Sequence, residues 1–208
     1  SRVQKPARYT GGEYNAVVKD RKQVDTRVAL CFPDTYEIGM SNLGIRILYG
    51  LMNELEGVWC ERVFAPWGDM EDEMRREGLP LYGLESGDPI ADFDVIGFSL
   101  GYEMAYTNVL NMLDLAGLPL RSEDRDEDMP LIIAGGTCAY NPEPLAPFVD
   151  IFSLGEGEDV TVELIALSRR ARREGWQRCE LLAAAARIPG LYVPSLYRVT
   201  YREDGAVS

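Results

Sequence analysis

The sequence contains no histidine, the side chain most often used as a metal ligand and as a general base near neutral pH. Its four cysteines form no C-x-x-C pair, which argues against structural zinc and favours reduced thiols: Cys31, Cys60, Cys138 and Cys179. No apolar run approaches the roughly 20 residues of a membrane span, and the first residues lack a signal-peptide core. We therefore predict a cytoplasmic protein without a membrane partner, without metal-ligating side chains and without catalytic residues of its own.

Basic residues are scarce in the middle of the chain. Residues 28–160 carry six Lys and Arg against 26 Asp and Glu, whereas the whole chain has 21 against 34. A negatively charged surface repels a phosphate backbone, so nucleic acid is a poor partner for this region. The arginine-rich stretch at 168–178 is typical of the solvated face of a helix.

Short apolar segments alternate with helical ones through most of the chain. Strands are predicted at 28–33, 58–66, 94–100, 130–136 and 149–155. Helices are predicted between them, ending at Gly57, Gly78, Gly117 and Gly175. Near-continuous apolar strands indicate a parallel sheet covered on both faces. The pattern predicts an α/β fold: a flavodoxin-like (Rossmann-like), doubly wound, five-stranded parallel sheet.

The two ends of the chain differ from this central pattern. Residues 1–26 predict an N-terminal arm on the surface of a domain formed by residues 27–176. Residues 177–208 predict a helix and a β-hairpin, because Tyr197, Val199 and Tyr201 alternate like a half-buried strand and Asp204-Gly205 favours a hairpin turn. The returning strand is expected to be missing, which indicates a piece of a longer polypeptide.

Four glycine-rich loops follow the predicted strands: 33–44, 99–103, 135–144 and 155–159. In an open parallel sheet, ligands bind outside the carboxyl ends of the strands. The loops contain neither G-x-G-x-x-G nor G-x-x-x-x-G-K-[ST], and Asp34 and Glu37 would repel a phosphate. A phospho-receiver domain would have aspartate where Ser99 stands. These features predict a large ligand that is mostly uncharged at this edge.

The loops resemble those of cobalamin-binding domains, whose signature is D-x-H-x-x-G, a serine turn after the third strand and G-G after the fourth. The corresponding segments here are 34–39, 99–101 and 135–136, with Tyr36 in place of the histidine and without the usual leucine two positions after Ser99. The runs RYTGGEYN, FPDTYEIGMSNLG, GFSLGYEMAYTNVL, GGTCAYNPEPL and DIFSLGEGE resemble the N-terminal part of uncharacterised cobalamin-domain radical S-adenosylmethionine (SAM) proteins. That resemblance covers nearly the whole chain.

The resemblance implies a cobalamin-binding or cobalamin-derived module in which no protein histidine ligates cobalt. It implies that cofactor-binding residues are Asp34, Thr35, Tyr36, Gly39, Met40, Ser99, Leu100, Gly101, Gly135, Gly136, Thr137 and Glu156. It also implies a C-terminal radical SAM domain as partner, which would hold SAM and an iron-sulfur cluster through C-x-x-x-C-x-x-C. This chain lacks that cysteine triplet.

Several interpretations stay open from the sequence. Tyr36 is either a ring beneath the cobalt face or an aromatic plug in a domain that has lost its cofactor. Ser99 and the adjacent glycines are either contacts to a ligand tail or ordinary tight turns. The module as a whole is either a cofactor site, a non-binding scaffold that docks a partner, or a site for another flat ligand. The sequence does not indicate the substrate of the full enzyme.

Overall fold

The computed structural model describes residues 2–207, which form six β-strands and six α-helices. The strands are β1 (Thr26–Phe32), β2 (Val58–Phe64), β3 (Val95–Ser99), β4 (Leu131–Gly135), β5 (Ile151–Ser153) and β6 (Leu191–Tyr192). The helices are α1 (Tyr36–Ser41), α2 (Leu43–Glu54), α3 (Gly68–Glu77), α4 (Tyr106–Leu115), α5 (Gly157–Glu174) and α6 (Arg178–Ala185). Short 3-10 turns occur in several of the connections.

The strands form one sheet in the order β2-β1-β3-β4-β5-β6. The first five strands are parallel, which confirms the predicted flavodoxin-like fold. The sixth strand is a correction to the predicted five: Tyr192 and Leu191 pair antiparallel with Phe152 and Ser153 at the edge. Two residues are too few to show a strand period in the sequence. The strand order reverses between β1 and β3, where ligands bind in such folds.

Both faces of the sheet are covered, which explains why its strands are almost continuously apolar. All seven residues of β1 are buried. One core lies between the sheet and α3 and α4, and includes Met74 and Met112. The other lies between the sheet and α2, α5 and α6, and includes Ile45, Leu164 and Leu182. The second of these two faces carries the cleft described below.

The glycines predicted to end helices adopt the left-handed backbone conformation that is common there. Gly57, Gly78, Gly117 and Gly175 all have a left-handed φ between 66° and 75°. The loop predicted after β1 is partly wrong, because it contains the short helix α1. That helix packs so closely on β2 that a Cβ on Gly39 would overlap the ring of Phe64, so glycine is required there.

The residues before β1 run along the outer edge of the sheet. The Tyr49 hydroxyl accepts from the Val17 amide at 2.6 Å, and the Trp59 indole donates to the Val17 carbonyl at 2.9 Å. The Lys19 ammonium donates to the carbonyls of Asn53 and Val58. These bonds attach the arm to α2 and β2.

The C-terminal residues correct two expectations. Tyr197, Val199 and Tyr201 lie outside any strand and are 52–68% exposed, so the predicted half-buried strand is wrong. The turn at Asp204-Gly205 forms, and Tyr201 and Val207 make an antiparallel bridge that closes it. The returning side of the hairpin, expected to be missing, consists of residues 206–207. Within residues 2–207, no helix combines the length and apolarity needed to cross a bilayer.

Candidate functional site

An apolar cleft of about 200 Å³ opens at the carboxyl ends of the parallel strands. Its floor is formed by β1, β3, β4 and β5, and its walls by α2 and α5. Leu30, Ile133 and Leu164 are among the apolar lining residues, and Ser99 and Ser153 line the cleft at the carboxyl ends of their strands. The cleft therefore lies next to the point at which the strand order reverses.

Three glycines keep the cleft open, although neither steric crowding nor backbone conformation requires glycine at their positions. A Cβ on Gly97 would meet Ile133 at 3.4 Å, and one on Gly135 would meet the Ser153 Cβ at 3.5 Å, which are tolerable contacts. A Cβ on Gly157, in the opposite wall, would lie 3.8 Å from Leu48. None of these three glycines has a positive φ. Neither backbone conformation nor crowding therefore explains why these positions are glycine. Their common effect is to keep the cleft open, because even small side chains there would fill it.

Gly136 differs from its neighbour Gly135. It has a φ of 106°, and a Cβ there would lie 2.6 Å from the Leu100 carbonyl oxygen. The Leu100 amide also donates to the Gly135 carbonyl at 2.7 Å, so the loops after β3 and β4 are tied together at this point. Glycine at 136 is thus required by the fold, whereas glycine at 135 only keeps the cleft open.

We expect the two adjacent glycines to respond oppositely to alanine. Gly136→Ala should lower the free energy of unfolding by about 1–3 kcal/mol, because alanine is strained at positive φ and would overlap a carbonyl. Gly135→Ala should be neutral or raise it by up to about 1 kcal/mol, since glycine weakens a strand. Urea denaturation of both variants measures this, and equal losses would contradict the distinction.

A row of three residues crosses the carboxyl ends of neighbouring strands. Ser99 lies opposite Gly135 in the register of β3 and β4. Ser153 follows two residues after Ile151, the partner of Ile133, and therefore lies beside Gly135 on β5. The Ser153 hydroxyl is buried and has no hydrogen-bond partner within residues 2–207.

Several predicted site residues lie outside the cleft. Tyr36 donates to Glu13 of the arm at 3.0 Å, and its ring packs edge-on against Phe64 at 5.6 Å. Burial raises the pKa of the Tyr36 phenol. The Asp34 carboxylate accepts from the Tyr102 hydroxyl at 2.6 Å, which raises the pKa of that phenol. The bond between Tyr102 and Asp34 connects the loops after β1 and β3.

Thr35 precedes α1, and its amide donates to Asp34 at 2.6 Å. Met40 lies farther along that helix, where its sulfur accepts from the Arg62 guanidinium at 3.4 Å. Gly39, as described above, faces Phe64. Gly39 and Met40 therefore belong to the packing between α1 and β2, and none of the three is among the residues that line the cleft.

The loops after β3, β4 and β5 hold the other predicted residues. Leu100 is buried in the core that faces α3 and α4, and the exposed Thr137 hydroxyl donates to the Gly101 carbonyl at 3.2 Å. Glu156 is exposed just before α5, and its side chain does not cap that helix. Of the predicted set, Ser99, Gly135 and Gly136 line the cleft.

The sequence analysis missed most of the cleft's interior. Gly97 and Ser99 are two residues apart in one strand, so their side-chain positions fall on the same face. Ser153 occupies the matching position at the end of β5. Strand alternation was therefore a usable signal for the cleft floor. Residues of the helical wall, such as Leu48 and Thr161, carried no such signal.

Apolar side chains are exposed in the segments that follow the strands at the carboxyl edge of the sheet. Ile38, Met104 and Tyr140 follow β1, β3 and β4 and are 49%, 83% and 69% exposed. The Tyr140 hydroxyl lies 3.9 Å from where a Cβ on Gly155 would be, at the edge of the cleft. An apolar rim around an apolar cleft suits a guest larger than the cleft itself.

No cluster of at least three His, Cys, Asp and Glu side chains within residues 2–207 is placed to hold a metal ion. Cys138 lies in the loop after β4, where burial raises the pKa of its thiol. The shift is opposite to that of a reactive thiolate.

Comparison with known proteins relates this architecture to one family. No solved structure shows a significant match to the chain. The uncharacterized protein MJ0966 of Methanocaldococcus jannaschii is 27% identical over 149 residues, which cover 71% of this chain and 28% of the archaeal protein. The family described as radical SAM proteins, N-terminal, matches residues 44–194, a range that includes every lining residue of the cleft except Val28 and Leu30 of β1. This chain, with its switch-point cleft, therefore belongs to the N-terminal family of radical SAM proteins.

Proposed function

We propose that this domain binds a corrinoid cofactor at the carboxyl edge of its sheet, within a radical SAM protein. The observation that carries the proposal is the cleft, whose glycines at 97, 135 and 157 keep a cradle open although packing does not require them. A corrinoid has a broad macrocycle and a narrow nucleotide tail. The cleft suits the tail, and the exposed rim suits the macrocycle.

The side chains present fit such a ligand. The cleft is mainly apolar, and Ser99 and Ser153 provide hydroxyls that can bind polar atoms of the tail. Ile38, Met104 and Tyr140 would exclude water beside the macrocycle. The chain has no histidine, so no imidazole of this chain can ligate cobalt from below. We therefore propose a seat that holds the cofactor by shape and hydrogen bonds alone.

When bound, a corrinoid supplies a cobalt centre suited to methyl transfer or rearrangement. The residues of this chain bind and orient it, while the hydrogen bond between Tyr102 and Asp34 holds two rim loops together. We propose that SAM and the iron-sulfur cluster are held elsewhere in the full protein, since this chain lacks the cysteine triplet. The C-terminal radical SAM domain would be its partner.

The experiment is a titration of the purified protein with hydroxocobalamin, followed by gel filtration and visible absorption spectra. We expect the chromophore to elute with the protein. After reduction to cob(II)alamin, the electron paramagnetic resonance spectrum should lack the splitting that a protein nitrogen below cobalt produces. Such a splitting would contradict the proposal that no protein side chain ligates cobalt from below.

A second function, a non-binding scaffold that docks a partner domain, is favoured by one observation: the exposed apolar rim formed by Ile38, Met104 and Tyr140. The same titration separates the two functions. Absence of both co-elution and any spectral change would favour the scaffold, because a docking surface does not need the open cradle beneath it.

A further inference from the structure

The row formed by Ser99, Gly135 and Ser153 is a ring-sized platform flanked by two hydroxyls. Gly135 contributes only backbone between the two serines, and a Cβ there would make only ordinary contacts. A bare strand residue between two hydroxyl-bearing neighbours lets a flat group lie directly on the peptide. The edges of that group would then face the two serines.

The Ser153 hydroxyl is the second observation. It is buried, and no hydrogen-bond partner exists for it within the described chain from Arg2 to Val207. A buried hydroxyl without a partner is unfavourable, and native proteins satisfy nearly all such groups with protein, water or ligand atoms. Ser153 lines the cleft, and rotation about its Cα–Cβ bond would turn the hydroxyl toward a ligand atom there.

The spacing of the strands limits the size of the group. Ser99 and Ser153 are separated by two inter-strand spacings, or roughly 10 Å. Two hydrogen bonds of about 2.8 Å each leave roughly 4 Å between the two ligand atoms that meet the hydroxyls. That distance corresponds to the width of a flat bicyclic heterocycle with polar atoms on opposite edges.

We propose that a purine ring lies on Gly135 between the Ser99 and Ser153 hydroxyls. If the purine is the lower base of a corrinoid, this proposal rests on the proposed function and specifies which base the cleft binds. A free adenine nucleotide presents the same ring chemistry. A dimethylbenzimidazole base fits less well, because its methylated edge offers no hydrogen-bonding atom and leaves one serine unpaired.

The test compares four probes by equilibrium binding to the purified protein: a corrinoid with an adenine lower base, hydroxocobalamin with its dimethylbenzimidazole base, cobinamide without a base, and adenosine monophosphate. We expect the adenine-based corrinoid to bind about tenfold more tightly than hydroxocobalamin, as one additional hydrogen bond provides. Cobinamide should bind more weakly than either.

The variant Ser153→Ala provides the matched readout. It should reduce the preference for adenine to within about twofold, because the distinguishing hydrogen bond is lost. It should not lower the midpoint of urea unfolding, since the hydroxyl bonds to none of the described residues. Ser41→Ala, which changes an exposed hydroxyl outside the cleft, should keep the wild-type preference.

The outcomes separate this inference from the proposed function. Equal binding of both base-containing corrinoids, or a preference that survives in Ser153→Ala, would overturn the purine site and leave corrinoid binding intact. Binding of adenosine monophosphate that depends on Ser153, without binding of any corrinoid, would support the ring site and overturn the corrinoid proposal. Failure of all four probes would overturn both.

Discussion

Replacing Gly97 by valine is expected to weaken hydroxocobalamin binding by more than about 100-fold, or about 2.7 kcal/mol. The new side chain would project from β3 into the cleft, where its Cβ makes only an ordinary contact with Ile133. The fold should be at least as stable as the wild type, because valine favours strands and glycine weakens them by about 0.5–1 kcal/mol. Binding and urea denaturation measured on one preparation test both parts.

The matched control is Gly50→Val, at an exposed glycine of α2 where a Cβ would meet nothing within 4 Å. This variant adds the same side chain outside the cleft and should bind hydroxocobalamin with wild-type affinity. A Gly97→Val protein that is folded and binds normally would show that the cleft is not the site. A parallel loss in both variants would point to a non-specific effect.

Replacing Asp150 by alanine is expected to cause the largest loss of stability. Asp150 lies just before β5, where its carboxylate accepts from the Arg178 guanidinium at 2.7 Å and the Ile132 amide at 2.8 Å. Arg125, whose side chain is fully buried, lies 3.5 Å away, and burial lowers the pKa of its guanidinium. Removing the carboxylate leaves a buried cation uncompensated, which costs about 3–5 kcal/mol.

Urea denaturation measures this loss, with Asp128→Ala as the control. Asp128 is an exposed carboxylate in the preceding loop, and its removal should change the stability by less than about 0.5 kcal/mol. Asp150 lies at the amino edge of the sheet, so folded Asp150→Ala protein should keep its affinity for hydroxocobalamin. Similar stabilities for the two variants would contradict a buried ion cluster centred on Asp150.

The regular part of the fold was predictable because long apolar strands must be covered on both faces. The exceptions are short or isolated segments. β6 has two residues, and α1 has six residues with a glycine inside, so neither leaves a periodic pattern. Alternation at Tyr197, Val199 and Tyr201 suggested a strand, but alternation alone does not show that a partner strand is present.

The site was predictable only in outline, and the reason is geometric. Of the residues in the loop motif, Ser99 and Gly135 line the cleft at the carboxyl edge. The motif did not distinguish the two faces of the sheet, and Tyr36 turns to the arm and to Phe64 instead. Only the two-residue alternation of Gly97 with Ser99 identifies the face on which the cleft lies.

The most direct measurement is the change in backbone amide signals by nuclear magnetic resonance when hydroxocobalamin is added. We expect the largest shifts at Gly97, Ser99, Gly135 and Ser153, and no shift at Asp150 at the opposite edge of the sheet. Shifts concentrated at the amino edge, or no shifts at saturating ligand, would contradict the claim that this glycine-lined cleft is a cofactor seat.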